Sequence, residues 1–191
     1  MLKLDENKRK RQMLKVAIVG NIASGKSTVE KILEEKGFKV YDTDKIAHEI
    51  LESSDEVLKE FGTSDRKMLA KIVFADVNKL KLLESIIHPQ VKEKLLKIFN
   101  TEENIVFISV PQLFEAGFEN LFDKIIYITA EETIRKERLM KRNSLTPEEA
   151  QRRIKAQKED NKKERANFII ENNDSLDKLR EQIQEILEQL V

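Results

Sequence analysis

The residues best equipped for chemistry lie together from Gly20 to Ser27, Gly-Asn-Ile-Ala-Ser-Gly-Lys-Ser. They match the phosphate-binding pattern G-x-x-x-x-G-K-[ST] in full. Such a loop turns its backbone N–H groups inward around phosphate oxygens, and glycine permits the torsions and the close approach. Lys26 can reach the β- and γ-phosphates of a nucleoside triphosphate, and the Ser27 hydroxyl can ligate Mg²⁺. A helix opening at the loop adds partial positive charge. Lys15–Val19 before it reads as a short buried strand, and Val29, Ile32 and Leu33 after it fall at helical spacing, closed by Gly37. Triphosphate binding is therefore expected. Whether phosphate goes to water or to a second substrate depends on the rest of the chain.

Asp42-Thr43-Asp44 follows a second apolar run, Phe38–Tyr41, at the edge where ligands sit in open parallel sheets. An aspartate there can take a proton from an acceptor hydroxyl, or it can cap the helix that follows. Both roles stay open, and two carboxylates in three residues leave room for one of each. His88-Pro89 interrupts a helical pattern, with Pro89 ending or kinking the helix and His88 either part of that kink or facing a ligand. After the apolar run Ile105–Val110, many P-loop proteins place an aspartate; here the nearest acid is Glu115. Arg135, Arg138 and Arg142 share one helix face within Glu131–Arg165, a segment with 12 Lys/Arg against 8 Asp/Glu. Such a segment can close over a triphosphate and bring guanidinium groups to it, or it is a solvated helix with Glu131–Arg135-type pairs.

These groups need a frame, and the pattern supplies one. Lys15–Val19, Phe38–Tyr41, Ile105–Val110, Lys124–Ile128 and Phe168–Glu171 read as short strands separated by helices, which predicts a parallel sheet covered on both faces. Ile105–Val110, the most apolar, is expected at the centre. Lys45 to about Asn100 reads as helical with breaks near Ser53, Gly62 and His88, too long for a simple crossover and so a flap or subdomain. A charged helical stretch runs from about Glu131 to Lys163, interrupted at Asn143–Pro147, and Ser175–Leu190 closes the chain as a capped amphipathic helix. At 191 residues this is one domain, residues 13–191, with Met1–Gln12 expected to be a fraying extension because nothing in it can be buried.

Composition narrows the classes. The 35 Lys+Arg balance 35 Asp+Glu, so no overall field favours nucleic acid or a membrane surface. Absence of cysteine excludes disulfides, thiolate metal sites and a thiol nucleophile. No apolar run approaches the roughly 18–20 residues of a membrane span, and a soluble cytoplasmic protein is expected.

The ordered motifs closely resemble the dephospho-CoA kinase family from about Met13 to Val191. They are the phosphate loop; Asp42-x-Asp44 with Ile46-Ala47; Asp65-Arg66 leading to Ile72-Val73-Phe74; and Leu83-Glu84-x-Ile86-Ile87-His88-Pro89. Pro111-x-Leu113-Phe114-Glu115, Arg138-x3-Arg142, Arg153-Ile154-x2-Gln157 and Ala166-Asn167…Ile170-x-Asn172-Asn173 complete them. Asn21 stands where the family usually has a second glycine, as the next best residue for left-handed torsions, and Gln112 stands where it usually has leucine.

The resemblance implies a three-layer α/β P-loop kinase, five parallel strands with a helical acceptor-binding region (about residues 45–100) and a lid (about 131–165). It implies phosphorylation of the ribose 3′-hydroxyl of dephospho-CoA by ATP with Mg²⁺. In that reading Asn21, Ile22, Ala23, Ser24, Gly25, Lys26, Ser27 and Thr28 bind ATP with Arg138 and Arg142. Ser27 holds the metal, and Lys26, Asp44 and Arg142 are catalytic. Asp44, Arg66, His88, Pro111, Leu113 and Glu115 meet the acceptor. The alternatives are another small-acceptor P-loop kinase, or a nucleotide-binding switch. A switch that reads guanine expects an aspartate after the third strand and an N-K-x-D motif, and the sequence has neither. Lys26→Ala should leave a folded protein whose phosphoryl transfer falls by about two orders of magnitude or more, as when other electrostatic transition-state contacts are removed. Near-wild-type turnover, with circular dichroism confirming the fold, would overturn the phosphate-loop assignment.

Overall fold

Five apolar runs become five strands in a computed structural model that describes residues 13–101, 103–157 and 161–190. They are β1 (Leu14–Gly20), β2 (Lys39–Asp42), β3 (Ile105–Ser109), β4 (Lys124–Thr129) and β5 (Phe168–Glu171). The order across the sheet is β2-β3-β1-β4-β5, and all neighbours are parallel. The centre is therefore β1, and β3 lies beside it. Both are covered on two faces, so apolar content alone does not rank them.

Side chains alternate along each strand, which sorts the core into two layers. On one face Val16, Ile18, Phe107, Ile126 and Ile170 pack against α1 (Lys26–Glu35) and α8 (Leu176–Leu190), through Val29, Leu33, Leu179 and Ile183. On the other, Ala17, Val19, Val106, Ile108 and Tyr127 meet α2 (Thr43–Ser53), α3 (Asp55–Phe61), α4 (Arg66–Phe74) and α5 (Val77–Ile98). A third, small cluster joins α6 (Glu132–Asn143) and α7 (Pro147–Ala156): Leu139, Ala150 and Ile154, with Ile22 and Ala23 of the phosphate loop packed on it.

Three expected boundaries move. α5 runs unbroken for 22 residues with Pro89 inside it. Ile86, Ile87, Val91 and Leu95 hold its buried face on both sides of the proline, and the Gln90 side-chain amide donates to the Ile86 carbonyl at 3.0 Å. Packing outweighs the lost backbone bond. A break falls instead at Ala75–Asp76, where Asp76 accepts from the N–H groups of Asn78 and Lys79 to start α5. The charged helical stretch ends at Ala156 rather than Lys163. Its expected interruption is present: Ser144 takes a left-handed conformation (φ 51°) and Thr146 with Glu149 forms a capping box for α7. No helix among the described residues is long and apolar enough to cross a membrane, and the expectation for Met1–Gln12 lies outside the described residues.

Phe107 is fully buried and meets Phe38 edge-on, ring centres 5.3 Å apart. Phe107→Ala should cost about 3–5 kcal/mol of stability, read as a lowered urea midpoint with an unchanged slope.

Candidate active site

A loop whose amides face a ligand must turn its carbonyls away, and those carbonyls need donors. The Arg138 guanidinium from α6 donates through Nη1 to the carbonyls of Ser24 at 3.2 Å and Ala23 at 3.5 Å, and through Nη2 to that of Asn172 at 3.0 Å. Asn172, just after β5, donates its Nδ2 to the same Ser24 carbonyl at 2.8 Å. The loop closes around these contacts. Gly25 has φ 96°, and a Cβ there would stand 2.0 Å from Asn172 Nδ2; a Cβ on Gly20 would stand 2.5 Å from the Ile128 carbonyl. Packing fixes both glycines, and at Gly25 the left-handed torsion does so as well.

The left-handed residues of the loop are Ala23 and Gly25. Asn21 does not need that torsion. Its N–H donates to the Ile128 carbonyl at 3.2 Å and its side-chain oxygen accepts from the Tyr127 hydroxyl, anchoring the start of the loop on β4. The Ile22 N–H donates to Oε1 of Gln157, at the end of α7, at 2.7 Å.

Lys26 opens α1. Its Nζ donates to Glu30 Oε1 at 3.0 Å and to the Ser109 hydroxyl at the end of β3. The two aspartates divide their work. Asp42 caps α2, accepting from the Asp44 N–H at 2.8 Å, while the Asp44 carboxylate lines the cleft beside the loop. Burial, and then the Asp42 charge, hold the Asp44 carboxyl above its usual range; Lys26 and Arg66 oppose them, and Glu30 adds to the rise.

The cleft has a volume of about 780 Å³ and runs from the loop past Asp44 and Pro111 to Arg138 and Arg142. It ends on a wall formed by Asp174, Leu176 and Leu179. Ser27 and Thr28 face it from the open end of the loop. Ser27 and Asp44 offer hard oxygen donors, the kind of ligand Mg²⁺ takes one or two of from a protein beside substrate phosphates and water.

Other expected acceptor residues are not brought to this cleft. Leu113 is fully buried in the core, so its side chain is not available to a ligand. Glu115 is half exposed and paired with Lys162. His88 stacks edge-on against Phe118 at 5.7 Å. Arg66 starts α4 behind its cap Asp65, and its positive charge opposes the rise at Asp44. Arg142 lines the cleft, its Nε donating to the Asn143 side chain at 3.0 Å, whereas Arg135 is buried. Sequence reasoning gave no site role to Lys141, Gln157, Asn172 or Asp174, all of which line the cleft. Gln157 and Asn172 stood among the family-like motifs, which was the available signal.

Gly25→Ala should lower stability by more than about 2 kcal/mol, the range of strained or overpacked substitutions, and abolish nucleotide binding. Thermal unfolding and ATP titration calorimetry check both; a variant that binds ATP normally contradicts the close fit against Asn172.

The comparisons agree with this arrangement. The family model described as dephospho-CoA kinase matches residues 14–178. A dephospho-CoA kinase of Listeria monocytogenes is 37% identical over 193 residues, covering 92% of this chain and 96% of that protein. Among solved structures, a Thermus thermophilus protein superposes with a TM-score of 0.83 at 35% identity, covering 94% of this chain and 99% of that one. Dephospho-CoA kinase from Campylobacter jejuni superposes with a TM-score of 0.69 at 32% identity, covering 92% and 96%. A strand order centred on the phosphate-loop strand, a loop locked by Arg138 and Asn172, and a match over nearly the whole chain lead to one conclusion: the chain belongs to the dephospho-CoA kinase family.

Proposed function

We propose that this chain transfers the γ-phosphoryl group of ATP to the ribose 3′-hydroxyl of dephospho-CoA, giving ADP and coenzyme A. The observation that carries the reading is the Asp44 carboxylate, which faces the same cleft as the Lys26 ammonium. The N–H groups of Ala23, Gly25, Lys26 and Ser27, with the Lys26 ammonium, hold the β- and γ-phosphates, while those of Asn21, Ile22, Ser24 and Thr28 donate to the Ile128 carbonyl, Gln157 Oε1, the Asn21 carbonyl and the Gly25 carbonyl and shape the loop. Ser27 would hold Mg²⁺, which neutralises phosphate charge when bound. Leu176, which is exposed at the edge of the cleft, offers an apolar surface suited to the adenine face, with Asp174 beside it. Arg138 spends its terminal donors on the loop carbonyls of Ala23 and Ser24 and on the Asn172 carbonyl. Arg142 is then the guanidinium with terminal nitrogens left for phosphate oxygens. The helical region from about residue 45 to 100, with Arg66 and His88, together with Pro111 and Glu115, is the side from which the acceptor enters, and the α6–α7 segment is the lid.

In the transfer step Asp44 accepts the proton of the 3′-hydroxyl as that oxygen bonds to the γ-phosphorus. The bond from phosphorus to the β–γ bridging oxygen breaks, and the electron pair leaves with ADP, where Lys26 and the loop N–H groups meet the developing charge. Only ionised Asp44 can act. Because its pKa lies above the ordinary carboxylate value, turnover is full above the raised pKa and is lost as pH falls through it.

The direct test is ATP consumption with and without dephospho-CoA, and with nucleoside monophosphates in its place. Strong dependence on dephospho-CoA is expected; dependence on a monophosphate, or on neither, overturns the reading. Asp44→Asn should cut kcat by roughly 10²–10⁴, the span of general-base catalysis, leave ATP binding intact and remove the acid limb. Glu115→Gln should act mainly on acceptor KM or stability. The reverse pattern would leave Asp44 with no part in proton transfer.

A further inference from the structure

We propose that Glu30 is a positioning residue for phosphoryl transfer: with Ser109 it holds the Lys26 ammonium so that one N–H is left to meet the phosphate. This rests on the reading of the cleft as a kinase site. The ion pair is 3.0 Å long, and its side chains are largely withdrawn from water, 21% exposed for Lys26 and 17% for Glu30. An ammonium has three donors. One goes to Glu30 and one to Ser109 Oγ, which fixes the direction of the third.

Helix stability does not explain the pair. Among i,i+4 pairs the better orientation places the acid toward the N-terminus. Here the lysine is the first residue of α1, where the helix dipole disfavours a cation, and the glutamate is one turn inside. The second tether is itself fixed. Ser109 is fully buried and its carbonyl accepts from Thr43 Oγ1 at 3.1 Å, so the ammonium is referenced to the corner that carries Asp44. A long side chain restrained before the ligand arrives has less freedom to lose when it grips a phosphate. The same carboxylate works against ATP in the ground state, because its negative charge lies beside a site for anions. Opposite effects on binding and on turnover are the signature of this arrangement.

The test compares Glu30→Ala, Glu30→Gln and Ser109→Ala for ATP affinity by calorimetry and for kcat. Removing the charge should tighten ATP binding a few-fold in both Glu30 variants. Loss of the acceptor should lower kcat about tenfold in Glu30→Ala, a modest share of what one misplaced transition-state contact costs. Glu30→Gln keeps an oxygen in place and should recover kcat to within about threefold. Ser109→Ala should lower kcat without tightening ATP. Unchanged kcat in Glu30→Ala, or glutamine no better than alanine, overturns the proposal. So does a loss of kcat accompanied by weaker ATP binding and a lower Tm, which would mark a merely structural pair. ATP affinity needs no acceptor, so a wild-type protein that binds ATP but ignores dephospho-CoA refutes the acceptor reading separately. The variants are then ranked on acceptor-free ATP hydrolysis.

Discussion

Every oriented amide in a phosphate loop leaves a carbonyl pointing the other way, and satisfying those carbonyls is the constraint on which this molecule is arranged. The Ser24 carbonyl receives Asn172 Nδ2 and Arg138 Nη1, from two separate segments 148 and 114 residues further along the chain. β5 must lie beside β4 for Asn172 to arrive, and α6 must cross the loop for Arg138 to arrive. The sheet order is thus the means by which one turn of backbone acquires its donors.

Charge near the loop follows a similar economy. Asp42 is consumed by the helix it starts, and Asp44, two residues on, is left beside the cleft under the opposed influence of two acids and two cations. Lys26 pairs with Glu30 and opposes the raised pKa of Asp44, so one ammonium answers to two acids. Arg138 and Arg142, four residues apart on one helix, have different partners: backbone for the first, the cleft for the second. Equal spacing on a helix face therefore does not mean equal work.

Local signals were legible in the sequence and distant partnerships were not. The strand–loop–helix unit around Gly20–Ser27, a helix cap within Asp42–Asp44 and all five strands follow from periodicity and turn chemistry, while the assignment of the cap to Asp42 came from the structure. Pro89 misled because its cost is local, while the burial that overrides it comes from other elements. The most apolar strand, β3, lies one place from the centre, which β1 takes, because every interior strand of a doubly covered sheet is buried and apolar content does not rank them. Asn172 lies 148 residues from Ser24, and what it touches is a carbonyl, which every residue has; no spacing rule reports such a contact. Leu113 shows the converse, a family-like position whose side chain belongs to the core.

Ile22 and Ala23 serve two masters: their backbones border the cleft while their side chains pack with Leu139, Ala150 and Ile154. Within that cluster they are the members from outside the α6–α7 hairpin. The hairpin therefore takes its apolar bearing from the loop itself, and packed side chains pass on small displacements rather than absorb them. A triphosphate that draws the loop inward would act on a short lever arm, with the hairpin as the long one. Any shift of the loop on binding nucleotide would reach the hairpin through these packed side chains, with no need for a hairpin side chain to touch the nucleotide first.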